Sequence, residues 1–340
     1  MKFYKKELLN AHNKIKSAVD NKALISVFKT VRFIAKDGVF RLIGQNSVYQ
    51  IEATGECEGD DNFDLCLPSD KFGIMISASQ DVITITNKDS AVSTQSGRSK
   101  FKFASFSGDD YPLINRIESE VVKVNLREII GRVHLCVNHS DVRDYLRGVS
   151  LISDGEIVTA TGTNGHMVAS LKTQIKTNEF DIIVPADVAA ICADCESESM
   201  SIDGKRSIEI VFKDGTILVS KLIDGKFPDI DRVISFDAPL FFEVDGKEFK
   251  ASISTAQKLG LYVKLNNKDG VMQVSSQDSE MISDIESKGE DINISFLVDY
   301  LKKSIDISGL NQLSFNFTKD MDRIKLTEGG LTIVVMMARL

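Results

Sequence analysis

Residues able to do chemistry are few in this chain and poorly grouped. It has four histidines (His12, His134, His139, His166) and five cysteines (Cys57, Cys66, Cys136, Cys192, Cys195). Cys192-Ala-Asp-Cys195 is the one suggestive spacing, since a C-x-x-C pair can supply half of a zinc site or exchange a disulfide. It lacks a second pair to complete four ligands and falls inside a helical pattern, so helix packing is the expected role. Neighbouring carboxylates, Asp60 with Asp61 and Glu196 with Glu198, sit in polar runs that read as solvated surface. No nucleophile elbow, Walker A motif or glycine-rich dinucleotide loop follows a strand. The residues therefore predict a non-enzyme with no catalytic residue, metal or cofactor.

Composition sets the frame for what else the chain could be. It has 340 residues, 43% hydrophobic and 26% charged, which excludes a fibre or a disordered tail and predicts two or three domains. The N-terminal run MKFYKKELLNAHNKIK has no apolar stretch of the signal-peptide kind, and no segment approaches a membrane span. With scattered cysteines, odd in number, the expectation is a cytoplasmic protein without a membrane partner. A net charge of −8 argues, taken alone, against nucleic acid.

One pattern occurs three times: a β-rich run, an Asp-Gly turn and a second alternating run. The turns are Asp37-Gly38, Asp154-Gly155 and Asp269-Gly270, with successive Asp positions 117 and 115 residues apart. Asp-Gly between alternating apolar residues predicts a type I′ hairpin, which needs positive φ at both central positions. Pro68 and Pro185 keep the same period, each between an apolar strand and a short helical pattern, and ISFLVDYL repeats this without its proline. Each copy opens with an amphipathic helix. In the second, Leu126, Ile129, Ile130, Val133 and Val137 form one apolar face. The expected fold is α+β, three tandem domains of two helices packed on antiparallel sheet, with bounds 1–120, 121–237 and 238–340. Three such units would form an arc, which pairing head-to-tail with a second copy could close.

Position changes the meaning of the charge. The opening helices, taken as 5–19, 125–137 and 246–260, carry nine basic residues (Lys5, Lys6, Lys14, Lys16, Arg127, Arg132, Lys247, Lys250, Lys258) against Glu7, Glu128 and Glu248. They hold six surplus positive charges inside a chain of −8. If they share a face, polyanion could be held there and nowhere else.

The sequence also resembles a known family, the bacterial DNA polymerase III beta subunit. The blocks that carry the resemblance are SGRSKF (96–101), SDVRDYLRGV (140–149), TGTNGHMVA (161–169), SKLIDGKFPDIDRVI (220–234) and VVMMARL (334–340). It implies a sliding clamp: a homodimeric ring around double-stranded DNA, gripping without sequence preference and serving a DNA polymerase as processivity factor. A clamp loader, and repair or regulatory proteins with clamp-binding peptides, would be its further partners; a scaffold for transcription or repair factors without a replicative polymerase is the alternative.

The resemblance also implies site residues. A partner-peptide cleft is expected at Leu146, Thr163, Gly165, His166, Met167, Val168, Pro228, Arg232, Val233, Tyr300, Met321, Val334, Val335, Met336, Met337, Ala338, Arg339 and Leu340. DNA-facing positions are expected at Lys14, Lys22, Lys71, Arg127, Arg132, Arg143, Tyr145 and Lys250, and a dimer edge at Phe101 and Phe103. Met337 and Ala338 stand where the family usually has Pro and Met, and Met167 where it often has Arg. These departures imply a cleft with its own peptide preference. Without the family, the terminal apolar run reads as a buried last strand, which is compatible with lining a groove.

Overall fold

The computed structural model describes residues 1–88 and 91–338. Packing divides the chain into two compact units, Met1–Asn125 with Glu196–Leu222, and Leu126–Cys195 with Ile223–Leu340. The division runs through the middle repeat for a definite reason. Strand Ile217–Lys221 pairs antiparallel with Tyr49–Glu58, drawing the last third of that repeat into the first unit. Strand Leu331–Met336 pairs with Met167–Gln174, drawing the rest into the second.

The repeated hairpins are present, and two of the three turn as expected. Asp37 and Gly38 have φ of +54° and +79°, and Asp269 and Gly270 have +51° and +82°, as a type I′ turn requires. The second departs from the expectation. There only Gly155 is left-handed, at +97°, and the loop between Ser153 and Val158 is two residues longer. The Asp154 carboxylate accepts the N–H groups of Glu156 at 3.0 Å and Ile157 at 2.8 Å, an Asx turn that replaces the tight one.

Opening helices run Lys5–Ile15, Leu126–Val133 and Gly246–Ala256, each shorter than its apolar pattern. In the second, a tight turn over His134–Cys136 takes up the pattern, and all five residues of the apolar face are buried. The second helices are Ser69–Ala78, Ala186–Asp194 and Val298–Ser308. Pro68 and Pro185 are the N-caps of the first two, and Leu297 takes that place in the third.

Helix and sheet approach closely at one repeated point. A Cβ on Gly44 would lie 2.6 Å from the Ile15 carbonyl oxygen, and one on Gly162, 118 positions later, 2.2 Å from that of Val133. Each glycine therefore lets the end of an opening helix rest directly on the sheet. In its core the first repeat packs Phe3, Phe33, Phe40, Phe63 and Phe72, with contacting ring centroids 5.1 to 6.1 Å apart. The last repeat uses Phe242, Phe249 and Phe315 in the same way.

Of the strand edges left open among the described residues, two lie at positions that are paired in the other repeats. Strand Ser99–Ala104 pairs only with Ala91–Ser96 among the described residues. In the other unit, Ile282–Gly289 pairs along 282–286 with Val271–Ser276 alone, and on its second side only 287–289 meet Leu240–Asp245.

Gly162→Ala should cost about 1–3 kcal/mol through overpacking against backbone that cannot give. Gly215→Ala, where a Cβ meets nothing within 4 Å but φ is +79°, should cost only about 1 kcal/mol of backbone strain. Thermal melting of both variants checks this, and an undisturbed Gly162→Ala protein would reject the close-approach account.

Candidate partner-binding cleft and basic helices

The cleft is built around one hairpin turn of the second unit. Strands Ile157–Thr163 and Met167–Gln174 are joined by Asn164-Gly165-His166. The Asn164 side-chain oxygen accepts the N–H groups of His166 and Met167, both at 3.0 Å. The Thr163 hydroxyl donates to the Met167 carbonyl at 2.7 Å and accepts the Gly165 N–H at 3.1 Å, and Gly165 takes φ of +86°. This turn delivers His166 and Met167 to the junction with the last strand, where Met167 pairs with Val335 and Val168 with Val334. The Met336 N–H then donates to the His166 carbonyl at 2.9 Å.

Over that junction lies a cavity of about 320 Å³. Leu146, Thr163, Gly165, His166, Met167, Val168, Pro228, Val233, Val334 and Met336 line it, so ten of the expected cleft residues come together. Arg143, Asp229, Ile230 and Arg323 line it as well and were not expected there. Ile230 was recoverable from the sequence, because the segment GKFPDIDRVI folds back as one turn, with the Val233 N–H donating to the Ile230 carbonyl at 2.8 Å. Arg323 had no sequence signal; it reaches the cleft through strand Arg323–Glu328, which pairs with the last strand at Arg323 and Met336.

The other expected residues surround this cavity. Tyr300 stacks on His166, with centroids 5.6 Å apart and planes 13° from parallel. Arg232 is exposed on the turn Asp231–Ile234, beside Val233. Val335 is buried, because alternation along the strand sends it to the opposite face from Val334 and Met336. Met321, Met337 and Ala338 line a second, more polar hollow of about 620 Å³, with Asp320 and Asp322, and Met336 borders both hollows. Arg339 and Leu340 lie outside the described residues.

Several expected DNA-facing groups are engaged inside their own units. Arg132 donates to the Ile307 and Ser308 carbonyls at 3.0 and 2.5 Å and to Glu328 at 2.8 Å, capping the helix Val298–Ser308 at its negative end. Lys14 pairs with Asp214 at 2.8 Å and Lys250 with Asp306 at 2.7 Å. Lys22, Lys71 and Arg127 are exposed. Tyr145 is half-buried against the cluster of Leu146, Ile183 and Phe227, where it backs the cleft wall.

Arg143 lines the cleft, and Asp141 fixes it there. Its Nε and Nη2 donate to the two carboxylate oxygens at 2.9 and 3.0 Å. That bidentate bond, with the Arg143 backbone N–H on the same carboxylate, pulls the Asp141 pKa down to about 2. Cys192 is wholly buried and burial pushes its thiol well up, the opposite of an activated nucleophile. No cluster of three or more metal-ligating side chains occurs among the described residues, and no helix is long and apolar enough to cross a membrane.

Comparison with known proteins identifies the architecture. Residues 1–115 match the family model for the DNA polymerase III beta subunit, N-terminal domain, and residues 120–229 match that for its central domain. The chain belongs to the DNA polymerase III beta subunit family. A curated relative, the beta sliding clamp of Haemophilus influenzae, is 24% identical over 339 residues, covering 92% of each chain. Among solved structures, a sliding clamp from Pseudomonas aeruginosa bound to griselimycin superimposes with a TM-score of 0.91 at 20% identity, covering 100% of this chain and 99% of that one. The Helicobacter pylori beta clamp bound to a DNA ligase peptide gives 0.89 at 18% identity, with full coverage of both chains. The fold is that of the sliding clamps.

The Asp141 pair gives a pH prediction with a defined sign. Its depressed pKa means the pair supports the loop fully above the ordinary carboxylate value of about 3.9 and loses that support as pH falls toward about 2. Side-chain NMR titration should place the Asp141 midpoint near the lower value and return it to the ordinary one in Arg143→Ala. An ordinary midpoint in the unmodified protein would contradict the pairing.

Proposed function

We propose that this chain is a homodimeric sliding clamp that encircles duplex DNA and tethers the replicative polymerase as a processivity factor. The observation that carries the reading is a missing third junction. Tyr49–Glu58, Met167–Gln174 and Ile282–Gly289 are equivalent strands of the three repeats, spaced 118 and 115 residues apart. The first two receive the last strand of the following repeat, whereas the third has 282–286 bare on that side. The matching last strand of the first repeat, Ser99–Ala104, is also bare on one side. A second copy supplies each with the other, and because the pairing is head-to-tail in both directions, two copies close.

Apolar residues mark the edges that would be covered. Phe101 and Phe103 are half-buried on one edge; Ile282, 58% exposed, and Leu261, 68% exposed, lie on or near the other. Exposed strand edges with apolar side chains invite association, and a specific partner removes the liability. In this ring the three domains are 1–120, 121–237 and 238–340, and the opening helices face the duplex. Lys6, Lys16, Lys247 and Lys258, with Lys22 after the first opening helix and Lys71 on the helix Ser69–Ala78, are exposed and offer phosphate contacts without base reading.

The cleft then recruits the polymerase, the loader and repair or regulatory proteins through short apolar peptides. Burying each anchor side chain contributes about 2 kcal/mol before ordering costs, so two anchors give exchangeable binding. The protein has no catalytic role of its own and works in the cytoplasm.

Sedimentation should show a dimer at micromolar concentration, and Ile282→Asp should yield monomers of unchanged secondary structure. Loaded protein should stay on circular DNA and slide off a linearised form. A wild-type monomer, or equal retention on both forms, would overturn the ring.

A further inference from the structure

Arg323 is the one charged group lining the cleft whose side chain makes no hydrogen bond among the described residues. Its Nε is buried without a hydrogen-bond partner, and its ion pair with Asp322, at 3.6 Å, is too long to be a hydrogen bond. Every other charged group at the cavity is engaged. Asp141 grips Arg143, and Asp229 accepts the Asp231 N–H at 2.9 Å. Lys325, two positions along the same strand, donates to the Phe236 carbonyl at 2.7 Å.

Phe236 explains how Arg323 is held. The guanidinium carbon lies 4.4 Å from the ring centroid, and Lys325 Nζ lies 4.5 Å from it. Cation–π stacking of this kind orients the planar fork without using its N–H groups. Stacking thus leaves the terminal N–H groups, unlike the buried Nε, without a hydrogen bond among the described residues at a cavity that Val168, Val233, Val334 and Met336 also line, where apolar surroundings strengthen a charge-assisted bond.

We infer that Arg323 is a specificity-determining residue of the cleft, selecting partner peptides that place a carboxylate side chain beside their apolar anchors. The inference rests on the reading of this cavity as a peptide cleft. The occupant follows from charge complementarity: a planar, pre-oriented cation, held by Asp322 only in a long ion pair, pairs best with a carboxylate that its terminal N–H groups can hydrogen-bond, while a lysine-bearing peptide meets like charge. Arg323 acts by binding, and no step of chemistry is assigned to it.

The test uses the full chain and a set of fluorescein-labelled alanine nonapeptides, capped at both ends, with leucine at two positions. Asp, Asn or Lys is placed in turn at each remaining position, and affinity is read by fluorescence anisotropy. At one position or more, Asp should bind about tenfold tighter than Asn, as expected for a charge-assisted pair, and Lys more weakly than both. The Asp-to-Asn ratio should fall to near one in Arg323→Gln and to an intermediate value in Arg323→Lys, which keeps the charge but loses the fork. The wild-type preference should also shrink as salt is raised. If the wild type binds the peptides with no Asp preference, or both variants keep it, the inference fails while the cleft reading stands. If no peptide binds, the cleft reading fails and this inference with it. Should Arg323→Gln not fold, the Arg323→Lys ratio decides alone.

Discussion

Backbone pairing between repeats is the interaction on which the rest of this structure depends. A strand edge carries a row of N–H and C=O groups that water or another strand must satisfy, and an uncovered edge recruits whatever strand is near. Here the last strand of each later repeat covers the edge of the one before it, through four backbone positions at Tyr49–Glu52 and five at Met167–Leu171. A tandem of identical joints must end with one edge of each kind unsatisfied. The proposed closure by a second copy would thus continue a rule already used twice within the chain.

The charge pattern has a comparable logic. The opening helices are basic, yet Lys14, Arg132 and Lys250 spend their charge on Asp214, Glu328 and Asp306 within the same unit. What remains exposed is a thin set of flexible lysines rather than a continuous cationic surface. In the proposed ring this moderation would permit sliding, since each tightly neutralised phosphate adds to the barrier between positions. Encirclement then supplies retention that affinity does not.

Much of this fold was legible because its signals repeat. One Asp-Gly turn says little, but three at a near-constant period fixed the three-repeat organisation, and the apolar spacing from Leu126 to Val137 located a buried helix face. The second turn was misread because Asp154 and Gly155 obey the same local preference as the other two. The Asp154 side-chain bonds that lengthen the loop depend on its neighbours' backbone rather than on residue type. At the cleft, residues within the contiguous motifs TGTNGHMVA and SKLIDGKFPDIDRVI were found together. Arg323 was not, because it arrives by cross-strand register with Met336, a tertiary fact that no spacing in the sequence encodes.

The last strand joins the two themes of structure and recruitment. Val335 points into the core while Val334 and Met336 border the cleft, and the same backbone forms the joint to Met167–Gln174. In the proposed cleft, partner binding and repeat cohesion are therefore carried by alternate side chains of one segment. A substitution that reshapes the cleft floor at Met336 acts on an exposed side chain, leaving the ladder intact, whereas one at Val335 loosens the joint itself. This alternation lets peptide preference diverge, as Met337 and Ala338 already depart from the family pattern, without disturbing the pairing that the ring requires.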